Sequence, residues 1–153
     1  MKLAEALIKR ADLKQRIAEL EHRLRASAKI QLGDNPPENP DDLLEELTKA
    51  FQDLELLIIA IDHTNAISLL EGKPLVEWLT KRNMLQKRRQ TLLSLIDQAS
   101  MPSYRVTKTE IRYVSTLKVP ELIKEADELA KCFRELDIKL QAANWATELI
   151  TAT

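Results

Sequence analysis

Apolar residues return every three or four positions along most of this chain, which is the spacing that puts them on one face of a helix. The first such run is Leu3, Ala6, Arg10, Leu13, Ile17, Leu20 and Leu24, with Leu7 widening the stripe and charges filling the opposite face. Glu19 and Arg23 add a supportive pair four residues apart. The stretch Gly33-Asp-Asn-Pro-Pro-Glu-Asn-Pro40 ends this helix, because consecutive prolines lack backbone donors and enforce extended conformations. Asn39-Pro40-Asp41-Asp42 then reads as an N-cap, a proline at the first helical position and two acids at the positive helix end. The second stripe is Leu43, Leu47, Phe51, Leu54, Ile58 and Ile61, continuing through Asn65 to Leu69. Gly72 and Pro74 end it and begin the next helix, and so short a connection predicts that helices two and three are antiparallel neighbours. A third stripe runs Leu75, Trp78, Arg82, Leu85, Arg89, Leu92, Ile96, and a fourth Leu122, Ala126, Leu129, Phe133, Leu136, Leu140, Ala143. The pattern predicts helices over about 2–28, 40–70, 74–99 and 120–150.

One segment breaks the period. Between Met101 and Val119 the odd positions Thr107, Thr109, Ile111, Tyr113, Ser115, Leu117 and Val119 favour strand or are apolar. The even positions are Val106, Lys108, Glu110, Arg112, Val114, Thr116 and Lys118, most of them polar. A period of two predicts a half-buried extended segment at about 104–119. A strand needs a ladder for its backbone groups, and no other stretch reads as one. It either folds on itself near Ser115-Thr116, without the usual Asn-Gly or Asp-Gly turn, or pairs with the same segment of a second chain. Its reach, about 50 Å for 15 residues, would also let it carry the chain back along the bundle and leave helices three and four parallel. As an end loop it would leave them antiparallel.

Composition agrees with this picture and narrows it. The chain of 153 residues is 44% hydrophobic and 31% charged, with two glycines and 4% aromatics, so the core is aliphatic. The expectation is one all-α domain over 1–153, a bundle or coiled-coil arrangement of four helices with one extended segment between the third and fourth. Its 23 basic and 24 acidic residues nearly cancel, which removes any general demand for a polyanionic partner. The single cysteine, Cys132, cannot form an internal disulfide and suits a reducing, cytoplasmic setting. The N-terminal stretch has charges at every turn and no apolar core of a signal peptide. The longest apolar run, LLIIAI from Leu56 to Ile61, is far short of the roughly 20 residues that span a bilayer.

Candidate chemistry is sparse. Glu19-x-x-His22 has the spacing of a di-iron ligand pair in a bundle, but His63 is the only other histidine and Ala60 stands three before it. Asp62-His63 with Ser68 and Ser94 offers no nucleophile elbow, and Cys132 beside Phe133 reads as a small apolar residue. No catalytic residue, metal ligand or cofactor is assigned, and the expectation is a non-enzymatic protein. Lys81-Arg-Asn-Met-Leu-Gln-Lys-Arg-Arg89 holds five basic residues in nine but no interleaved aromatics, so a solvated helix face is favoured over a nucleic-acid patch.

The sharper anomaly is a set of polar residues on the apolar stripes themselves: Arg10, Asn65, Arg82 and Arg89. Three readings stand. The arginines lay their stems over apolar surface and reach water; or they are buried, pair with Asp12, Asp62 or Asp137, and fix register or oligomer state; or they bind a small anion or other ligand. The partner expected from these features is a second copy of the chain, met through residues of about 104–119 or a helix face.

The opening KLAEALIKRADLKQRIAEL, the Thr64-Asn65 pair, YRVTKTEIRYV and the closing ANWATELI resemble a family of small uncharacterised bacterial proteins, some of whose members carry the label septicolysin. The resemblance covers essentially the whole chain, and the first phrase and Asn144-Trp145-Ala-Thr-Glu148 are its most specific parts. It implies an all-helical fold and assigns no activity to particular positions. The label implies a cytolytic toxin, yet the chain shows no secretion signal, membrane-length apolar stretch or long amphipathic hairpin.

Overall fold

Four long helices form where the stripes predict them: α1 (Leu3–Ser27), α2 (Pro40–Ile67), α3 (Leu75–Ser100) and α4 (Val119–Ala146). The computed structural model describes residues 1–101 and 113–151. Among the described residues the protein is all-α apart from a hairpin of two two-residue strands, β1 (Leu69–Leu70) and β2 (Lys73–Pro74), between α2 and α3. Helix starts follow local chemistry. The Glu5 carboxylate accepts the Lys2 backbone N–H at 2.7 Å, and Asn39 Oδ1 accepts the Asp41 N–H at 3.1 Å with Pro40 following the cap. Each satisfies a donor that the helix cannot pair internally.

The hairpin escaped the sequence reading, which sought Asn or Asp before glycine. Here Glu71 (φ 50) and Gly72 (φ 79) both take left-handed backbone, the requirement of a two-residue hairpin turn whose twist matches the strands. Gly72 adopts it without a Cβ in the way. The Leu75 N–H then donates to the Ser68 carbonyl at 2.9 Å and closes the turn.

Of the extended segment expected at about 104–119, residues 102–112 lie outside the described residues. Residues 113–118 are described and form no strand. The Ser115 hydroxyl donates to the Leu117 carbonyl at 3.0 Å and accepts the Leu117 N–H at 3.3 Å. The Lys118 carbonyl accepts from Glu121 and Leu122, each at 3.1 Å. This stretch is therefore the lead-in to α4. Its alternation is overridden by a local serine turn and by Pro120, which sits comfortably in a first helical turn.

The chain divides into two compact units, Met1–Leu75 with Gln141–Thr153, and Val76–Leu140. Helices two and three, expected as antiparallel neighbours, fall in different units, and α2 packs on α1 within its own.

In the first unit, α1 and α2 run antiparallel around Leu20, Leu43 and Ala50, against which Ile17, Leu24 and Leu47 pack. Burying a leucine of this kind contributes roughly 1.5–3 kcal/mol. The Arg23 guanidinium donates from Nε to Glu38 Oε2 at 2.9 Å and from Nη2 to Oε1, tying the proline-rich connection to α1. The C-terminal residues 147–150 close the other end. The Leu3 N–H donates to Thr147 O (2.9 Å), the Leu149 N–H to Met1 O (2.8 Å), and Lys2 Nζ meets Glu148 Oε1 at 2.6 Å. Thr64, fully buried on α2, accepts the Ile150 N–H at 2.9 Å while its hydroxyl donates to Ala60 O at 2.7 Å.

In the second unit, α3 and the part of α4 up to Leu140 form an antiparallel pair, joined by Arg82 to Asp137 and Arg88 to Glu125. A parallel pair is excluded. Ala126, Leu129, Leu136 and Leu140 are buried, whereas α3 gives this unit only half-buried side chains such as Trp78, Leu85, Leu92 and Ile96.

Two predictions follow from the first unit. Thr64→Val keeps the side-chain shape but strands the Ile150 N–H, so urea unfolding should show stability lower by about 1–2 kcal/mol. The Arg23 hydrogen bonds, reinforced by coulombic attraction, hold the Glu38 carboxyl below the ordinary glutamate range. In acid the unfolded chain therefore takes up that proton first, and stability from the pair is present above the ordinary glutamate pKa and lost as pH falls through the lowered one. The stability difference between wild type and Glu38→Gln should be greatest near neutrality and shrink towards pH 3 in denaturant titrations.

Candidate functional site

The four polar residues of the stripes do not share one compact unit. Arg10, half-buried on α1, and Asn65, buried on α2, belong to the first. Arg82 and Arg89, both half-buried on α3, belong to the second. Of the three aspartates considered as partners, Asp12 and Asp62 are exposed and Asp137 is engaged. Thr64, next to Asn65, is the polar residue on α2 whose hydrogen bonds hold the C-terminal residues in place. Asn144 of α4 is likewise buried. The sequence pattern marked neither as structural, because a stripe shows position and not what arrives from elsewhere in the chain.

Arg82 has a partner. Its Nη1 donates to Asp137 Oδ1 at 3.0 Å, with the two side chains 25% and 33% exposed, and its Nη2 lies 3.4 Å from Asn83 Oδ1. This is the arrangement expected of a charge that fixes how two helices align. Partly screened pairs of this kind contribute at most about 1 kcal/mol. Nearly two turns further along α3, Arg88 Nη2 donates to Glu125 Oε1 across the same helix pair.

Arg89 differs from both. Its Nε is buried and has no hydrogen-bond partner, a state that costs roughly 1–3 kcal/mol unless something occupies the position opposite. With Gln86 on its own helix and Ala130, Phe133 and Arg134 on α4, it lines a cavity of about 220 Å³. The buried atom is the inner nitrogen of the guanidinium, next to the stem, and the residue as a whole is half-buried. Arg134 was not singled out from sequence. Its signal is the absence of a carboxylate four residues away on either side, where Ala130 and Ile138 stand.

Other candidate groups take ordinary positions. Glu19 and His22 are exposed on α1, and Glu19 accepts from Gln15 at 3.2 Å. Asp62 and His63 are both exposed. The half-buried Cys132 thiol donates to Glu128 Oε1 at 3.8 Å. The basic run 81–89 is not one face: Lys81, Lys87 and Arg88 are exposed, whereas Arg82 and Arg89 turn inward, and Lys81 lies 5.5 Å from the Trp78 ring centroid.

A surface feature stands out on α2. Residues 56–61 are apolar on every side of the helix: Leu57, Ala60 and Ile61 are buried, while Leu56 is 68% and Ile59 51% exposed. Leu56 and Ile59 continue a seam spaced by three and four, Gln52, Leu56, Ile59, His63 and Ala66, all exposed and none carrying a carboxylate, ammonium or guanidinium. Asp53, Glu55 and Asp62 flank it. A helix that is apolar all round is normally covered on all sides.

Among the described residues, no helix is long and apolar enough to cross a membrane. Comparison with curated proteins returned no match. The chain is similar to a functionally unknown conserved protein from Corynebacterium diphtheriae, known from its crystal structure, with 39% identity and a TM-score of 0.89. The alignment covers 98% of this chain and 99% of that one. Residues 10–149 match the model of a family of unknown function, DUF6847, and neither match carries the septicolysin label. On that coverage, the chain belongs to the family of unknown function DUF6847.

Proposed function

We propose that this is a non-enzymatic helical protein that acts by self-association, with a second copy of the chain covering the outer face of α2. The observation that carries this reading is the exposed seam Gln52, Leu56, Ile59, His63 and Ala66, which holds no carboxylate, ammonium or guanidinium, on the side of α2 away from α1. Its three-and-four spacing is that of a helix-to-helix contact. Acids lie on its flanks, so two copies laid antiparallel across Leu56 and Ile59 meet along the strip that holds none. Such a contact is isologous and closes at two chains.

Arg82 and Arg88 are already engaged by carboxylates of α4, which weighs against a phosphate-tracking basic patch. The reading also places the protein in the cytoplasm, consistent with one cysteine and no internal disulfide. A lytic activity of the kind named by the septicolysin label forms no part of it.

Sedimentation velocity tests the proposal. The wild type should sediment as a dimer or larger species at micromolar concentrations. Leu56→Glu with Ile59→Lys should sediment as a monomer with unchanged helical circular dichroism, the affinity falling at least about 100-fold from the loss of two apolar contacts. A wild type that is monomeric throughout the micromolar range would sink the idea.

A further inference from the structure

We propose that Gln86, Arg89 and Arg134 form an oxyanion-binding site in the α3–α4 pair, one that takes a carboxylate or phosphate group. The argument starts from the order of charges along the two helices. Arg82 meets Asp137 and Arg88 meets Glu125, so α3 supplies the cations and α4 the anions. Arg89 breaks that order. At its level α4 presents Ala130, Phe133 and a second cation, Arg134.

Neither arginine finds a carboxylate on its own helix. The positions three and four away from Arg89 are Leu85, Gln86, Leu92 and Leu93. Those around Arg134 are Ala130, Lys131, Asp137 and Ile138, and Asp137 accepts from Arg82. Among the described residues neither Arg89 nor Arg134 forms an ion pair, and the Arg89 Nε is buried without a partner. Arg89 and the exposed Arg134 therefore line one cavity to which the described residues bring no carboxylate.

The cavity has the size and lining for such a ligand. Its volume of about 220 Å³ is several times the roughly 30 Å³ share of one water, so a phosphate or a small carboxylate fits with solvent to spare. Guanidinium forks match the oxygen spacing of both groups, and the Gln86 carboxamide adds a neutral donor. Phe133 and Ala130 make an apolar wall, which suits an anion whose charge is confined to one end. The oxyanion can be free in solution or belong to an acidic side chain of a second copy; both present the same chemistry to the arginines. The site is independent of the α2 seam.

The test is thermal unfolding of the full chain in inorganic phosphate, in acetate and in chloride at matched ionic strength. Phosphate should raise Tm saturably, by about 3 °C at ten times its Kd. Arg134→Glu places a carboxylate beside Arg89; it should raise Tm in chloride alone and abolish the phosphate response. Arg89→Met should abolish the response as well. Sedimentation with and without phosphate then separates the sources: an unchanged species assigns a free anion, and dissociation by phosphate assigns an acidic side chain of a second copy. A wild-type Tm that moves no more in phosphate than in matched chloride overturns the site. So does an undiminished response in both variants, which would place the binding elsewhere.

Discussion

Two paired helices can hide only one stripe of each other, and most features of this protein follow from how each pair deals with the surface that remains. In the unit built on α1 and α2 the shortfall is met by a third element. The end of α4 and the residues after it run beside the first turn of α1 and the last turns of α2, and they bring backbone donors into buried surroundings. Thr64 makes that possible. Its hydroxyl takes the Ile150 N–H and gives its own proton to Ala60, so a fully buried polar side chain leaves neither its donor nor its acceptor idle. A valine would fill the same space and could do neither.

The α3–α4 unit lacks such a third element among the described residues. Its α4 face is buried through Ala126, Leu129, Leu136 and Leu140, while α3 contributes only half-buried side chains. Cross-helix ion pairs accompany this thinner apolar contact. Each contributes little energy beside a buried leucine, about 0–1 kcal/mol against roughly 1.5–3. Their effect is on alignment, because a one-turn slip of α3 against α4 would separate Arg82 from Asp137 and Arg88 from Glu125 together. The order they impose also makes Arg89 conspicuous, as a half-buried cation that meets no acid among the described residues.

The spacings Glu19-x-x-His22 and Asp62-His63 share one setting. Glu19 with His22 and Asp62 with His63 lie exposed on their helices, and among the described residues no group of three or more His, Cys, Asp or Glu is placed to hold a metal. A spacing along one helix supplies at most half of a site; the rest must arrive from another element at bonding distance.

The sequence alone determined the four helices, most of their boundaries and the Asn39-Pro40 start of α2, since stripe periodicity, caps and prolines act within a few residues. It also marked Arg82 and Arg89 as out of place and named Asp137 among the acids that could answer them. It missed the Glu71-Gly72 hairpin because the left-handed backbone at Glu71 is held by its surroundings and not by residue type. It read 113–118 as strand because alternation cannot register a serine turn and a helix start that compete for the same backbone. Only the tertiary structure decided which helices pair, that α3 and α4 are antiparallel, and that Arg82 finds an acid while Arg89 shares a cavity with Arg134. Those outcomes depend on distances between residues tens of positions apart, and periodicity along one helix carries no information about them.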